Sequence, residues 1–147
     1  MESGGTDGFD YNRRELGAMV TASFVILLIA AAYMLTGDED NELGVLASLL
    51  LGFALAVIGC AVYPGNYQYL AGYNSMSEEQ LAQYDLNALC RRYGIGFTES
   101  GVAVVAVGVV CGAGGMDSLW IALVSVALFV LLIIAVWMRA DRRARKG

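Results

Sequence analysis

The sequence predicts an all-α, polytopic membrane protein with four transmembrane helices and a short cytoplasmic amphipathic helix between the second and the third. Three observations carry this prediction. The 147-residue chain is 58% hydrophobic and only 16% charged, against about 45–50% and about 25% in soluble domains. Its mean hydropathy is +0.60. The apolar residues come in long uninterrupted runs, and the charges flank those runs.

The first run covers residues 16–35, after Arg13 and Arg14 and before the acidic stretch that holds Asp38, Glu39, Asp40 and Glu42. The second covers 43–63 and stops at Pro64-Gly65. The third covers 101–115, with Ile95 as an earlier start, and the fourth covers 119–138 and ends at Arg139. A helix needs about 20 apolar residues to cross the hydrocarbon core. The third run reaches that length only from Ile95, which brings Glu99 near the membrane edge. Strands are disfavoured, because membrane strands alternate over about 10 residues and an isolated span must bond its own backbone. Ala30-Ala31-Ala32 fits a signal-peptidase pattern. The run before it is long for a signal peptide, so it reads as an uncleaved anchor.

Orientation follows from the basic residues. Arg13, Arg14, Arg91, Arg92, Arg139, Arg142, Arg143, Arg145 and Lys146 are all the basic residues of the chain. A four-span topology with both termini cytoplasmic puts every one of them inside. The two outer loops then carry Asp38, Glu39, Asp40, Glu42 and Asp117, and no base. The expected location is the cell (plasma) membrane, multi-pass.

Within the spans, Gly108 and Gly112 form a GxxxG, and Gly52, Ala56 and Gly59 place small residues on the second span. Small residues let helix backbones approach closely in lipid. Their expected use is packing within the monomer; homo-oligomerisation is a second use that nothing in the sequence requires. No charge falls in the middle of a run, and the runs carry the small hydroxyl residues Thr21, Ser23, Ser48 and Ser125. That disfavours an ion pathway, which usually needs a buried ionisable group. The chain has no histidine, and Cys60, Cys90 and Cys111 share no CxxC spacing. No disulfide framework, metal site, cofactor site or catalytic residue is expected. A net charge of −5 without a soluble basic patch disfavours nucleic acid as a partner. The expected partners are the lipid bilayer and another membrane protein.

The segment with specific chemistry is the cytoplasmic loop 66–94. Ser77-Glu78-Glu79-Gln80 matches a capping box. The pattern predicts a helix over 78–93 that stops at Gly94. Gln80, Gln83, Asn87 and Arg91 would share its polar face, and Ala82, Leu86, Leu89, Cys90 and Tyr93 its apolar face. Glu78, Asp85 and Arg92 line up beside them. Tyr63, Tyr67, Tyr69 and Tyr73 suit the headgroup level. Read blandly, this is a capped connecting helix with aromatic anchors. Read functionally, Gly72, Tyr73, Asn74, Met76, Tyr84, Asp85, Arg91 and Arg92 form a candidate interaction motif.

The loop resembles the DUF3784 family, small membrane proteins of bacteria and archaea with no established function. The resemblance rests on Leu70-Ala71-Gly72-Tyr73-Asn74-Ser75-Met76-Ser77-Glu78-Glu79, Tyr84-Asp85, Leu89-Cys90-Arg91 and Gly94. It implies a three-span unit over 43–138 with the cytoplasmic loop-helix 66–94. That leaves a cytoplasmic tail over 1–15, an additional first span with its acidic outer loop over 16–42, and a basic tail over 139–147. A more distant similarity links the loop to the SdpI-like immunity proteins, although their Arg-Thr after the Gly and their Trp in the helix are missing. Residues and resemblance together lead to a non-catalytic integral membrane protein of unknown role that binds or regulates another membrane component. The alternatives are an SdpI-like immunity protein against a toxin and a small transporter subunit.

Overall fold

The computed structural model describes residues 12–36, 42–70 and 72–144. The predicted N-terminal tail up to residue 11, the outer acidic loop 37–41 and the tail residues 145–147 lie outside the described residues. Among the described residues every regular element is helical. They are α1 (Arg13–Thr36), α2 (Glu42–Val62), a 3-10 turn (Tyr67–Tyr69), α3 (Glu78–Leu81), α4 (Leu86–Ala113) and α5 (Ser118–Ala144). Four of them, α1, α2, α4 and α5, are long and apolar enough to cross a membrane.

Local chemistry sets the ends. The Asn12 side chain accepts the Arg14 N–H at 3.0 Å at the start of α1, satisfying a donor with no partner inside the helix. α2 stops where Pro64 removes a donor and Gly65 turns the chain at φ 111°. Asp117 accepts the Leu119 N–H at 2.9 Å as α5 begins.

α2 and α4 pack most extensively, α5 lies across both, and α1 leans on α2 and touches α4 more lightly. Two buried clusters result. One joins Leu55, Val62, Tyr73, Leu89, Tyr93 and Phe97 at the end of the bundle that holds the loop. The other joins Ile26, Val45, Leu49, Val105 and Ile121 nearer the opposite end. The Ser48 hydroxyl bonds the Gly44 carbonyl at 3.0 Å and meets the Ser125 hydroxyl at 2.6 Å, so two buried polar groups satisfy each other. Outward faces are apolar: Phe24, Leu28, Leu50, Leu123, Leu131 and Ile134 are all exposed. A soluble monomer rarely carries so much; a lipid-facing surface requires it.

The structure corrects the short amphipathic helix. The capping box is present, with Gln80 N–H on Ser77 Oγ at 3.4 Å and Ser77 N–H on Gln80 Oε1 at 3.0 Å. The helix it starts lasts only from Glu78 to Leu81. Asp85 then caps a new helix by accepting the Ala88 N–H at 3.1 Å. Gly94 does not stop that helix. It lies inside α4, where a Cβ would stand 2.7 Å from Tyr63 Cβ. The missing side chain serves close packing between helices, and that overrides the signal for termination. The predicted third span and the second half of the predicted loop helix, from Leu86 on, are thus one 28-residue helix.

Candidate functional site at the basic end of the bundle

Contacts between helix ends bring the loop and the arginines together. The Glu15 carboxylate, at the start of α1, accepts from Tyr63, just past α2. It also takes a two-pronged bond from Arg91 of α4, one prong at 3.0 Å from Nε. Such forked guanidinium–carboxylate geometry fixes orientation as well as charge. The Tyr93 hydroxyl reaches the Trp137 carbonyl at 3.5 Å, which ties α5 to the same end. Arg13, Arg14, Arg91, Arg92, Arg139 and Arg142 therefore share one end of the bundle. Burial, with the hydrogen bond to Glu15 second, raises the Tyr63 phenol above its ordinary value; the bonded carboxylate favours the protonated form.

The loop is built on tyrosine. Tyr73 is only 3% exposed. Its ring meets Tyr84 edge-on at 5.5 Å and Tyr93 at 6.2 Å, within the range where aromatic pairs attract. Met76 and Tyr84 pack on the same cluster. Tyr63 is buried as well, Tyr67 is half-buried and Tyr69 stays exposed, so the four tyrosines divide between core and surface. Gly72 stands on this base with φ 92°, exposed, and with nothing near the place of a Cβ. Only glycine takes that conformation without steric cost. Asn74 and Ser75 are exposed beside it, with the Ser75 hydroxyl 3.4 Å from the Gly72 carbonyl.

The remaining predicted residues separate. Asp85 is spent on the α4 cap. Arg91 faces α1 through Glu15. Arg92, one residue on and about 100° around the helix, faces a groove of about 450 Å³ between α4 and α5, where Glu99 and Arg139 also lie. Gly52 faces Gly101 and Val105, Gly59 faces Gly94 and Thr98, Gly108 faces Ser48, and Gly112 faces Val45 and the Tyr33 hydroxyl. Among the described residues no three Cys, Asp or Glu side chains come together as a metal-binding group.

Sequence reasoning did not single out Glu15, Glu99, Arg139, Gly94 or Gly101 as site residues. A signal existed for the glycines. Gly94, Gly101 and Gly108 are seven apart, as are Gly52 and Gly59, which puts each set on one seam of a supercoiled helix pair. No comparable signal existed for Glu15, whose partners lie 48 and 76 residues away.

The DUF3784 model, a domain of unknown function, matches residues 49–143, from within α2 to within α5. No curated protein and no solved structure matches the chain. With about two thirds of its length matched in one stretch, the chain belongs to the DUF3784 family.

Proposed function

We propose that this protein is a non-catalytic membrane protein of the cell membrane whose basic end faces the cytoplasm and binds another membrane protein. The orientation rests on the arginines gathered at one end of the bundle and on the bias of basic residues toward the cytoplasmic side. The observation that carries the binding role is the loop tip. Gly72, Asn74 and Ser75 are exposed around the buried Tyr73, whose ring anchors the loop against Tyr84 and Tyr93. A surface ordered before binding loses less entropy when a partner docks.

The test is affinity capture from native membranes with Gly72→Val and Asn74→Arg variants. Both should lose the partner set that the parent protein retains, while eluting in detergent at the same volume. Capture of the same set by both variants sinks the reading. Labelling of single cysteines introduced at Asn74 and Met116 checks orientation: Asn74 should react from the cytoplasmic side and Met116 from outside.

A further inference from the structure

The groove between α4 and α5 differs in chemistry from the depressions that α1 forms with α4 and with α2. The depression between α1 and α4, of about 380 Å³, is lined by Thr21, Val25, Ile29, Val102 and Val109 among other residues and carries no charge. The α4–α5 groove has a similar apolar wall, including Ile95, Ala103, Leu132 and Ala135, and adds Arg92, Arg139 and Glu99.

Depth along the helices orders these charges. Gly96 and Val136 lie opposite each other, since a Cβ at Gly96 would stand 2.9 Å from Val136 Cγ1. Arg92 is four residues and Arg139 three residues from that level toward the basic end, about 6 and 4.5 Å. The two arginines thus flank the mouth at nearly one depth. Trp137, 53% exposed, marks the same level, where indole rings settle between headgroups and hydrocarbon. Glu99 lies about 10 Å deeper than Arg92 along α4. The wall continues from there as hydrocarbon-lined surface.

We infer that this groove holds one phospholipid with a singly charged phosphodiester headgroup, its phosphate between Arg92 and Arg139 and an acyl chain along the wall. Charge complementarity selects the class. Two guanidiniums against one carboxylate leave one positive charge, which a monoanionic phosphodiester neutralises. A choline headgroup brings its own cation to the arginines and is disfavoured. Paired guanidiniums at one depth suit a phosphate, which accepts several charged hydrogen bonds at once. Glu99 opposes the phosphate and sets an upper limit on affinity. This inference does not depend on the loop tip binding a partner.

The experiment is native mass spectrometry of the full chain, released from nanodiscs of equimolar phosphatidylglycerol and phosphatidylcholine. The parent protein should retain one phosphatidylglycerol in preference to phosphatidylcholine. Arg92→Gln with Arg139→Gln should weaken retention by about tenfold or more, the loss expected for charged hydrogen bonds. Arg142→Gln, which removes an exposed cation outside the groove, should leave it unchanged. Glu99→Gln should strengthen it. Glycerophosphoglycerol, the headgroup without acyl chains, should bind far more weakly. Equal retention of the two lipids overturns the inference. So does parent-like retention by the double arginine variant, or equal binding of the bare headgroup.

Discussion

The seam between α2 and α4 and the attachment of α1 are two ways of holding a helix in this bundle. Along the seam, glycine meets glycine. A Cβ at Gly59 would stand 2.6 Å from the Gly94 carbonyl oxygen, and one at Gly101 would fall on the Gly52 carbonyl oxygen. The backbones themselves are in contact, which maximises dispersion contacts where lipid leaves no hydrophobic drive between helices. On α1 the glycine does nothing comparable: Gly17 has nothing within 4 Å of a Cβ position. α1 instead buries Met19, Ser23 and Ile26, and is tied at one end by Glu15. The seam lies almost wholly within the family-matched stretch 49–143, and α1 lies outside it. The difference separates a core built by close backbone approach from a helix attached by side chains.

The largest effect should come from Gly101→Leu. Backbone on the facing helix cannot yield, so the cost should reach or exceed about 3 kcal/mol, the upper end for overpacking. Thermal unfolding in detergent measures it, and a near-parental midpoint would mean that the seam is looser than its geometry. A chain beginning at residue 42 should come next. It should still give a folded three-helix protein with a lowered midpoint, because the α2–α4 and α4–α5 contacts do not involve α1. Its failure to fold would make α1 part of the core and end the distinction. Gly17→Leu should have the smallest effect, within about 0.5 kcal/mol, as for surface substitutions generally. A larger loss would reveal an α1 contact with another copy or a partner.

The two neighbouring arginines teach the same lesson at smaller scale. In sequence, Arg91 and Arg92 look alike. In the fold one is committed to Glu15 and the other to the α4–α5 groove. Their assignment depends on which helices stand on either side of α4, and no local pattern contains that information. The loop was partly legible. The capping box at Ser77 was readable because its bonds span only three residues. The extent of the helix that follows is not legible locally, because Gly94 is a stop signal in isolation and a packing residue opposite Tyr63. Its sequence context suits Tyr73 to the headgroup level, and the structure turns it inward onto Tyr84 and Tyr93.

The sequence by itself determined the number of long apolar helices, their helical character and the segregation of basic residues beside them. These follow from hydrophobic length and from the need of each span to bond its own backbone, both local properties of the chain. Tertiary structure alone decided that α4 runs unbroken through Gly94, that Glu15 reaches Arg91 and Tyr63, and that Arg92, Arg139 and Glu99 share one groove. Each depends on how close two helices approach and at what rotation. Side chains dozens of residues apart fix that geometry together.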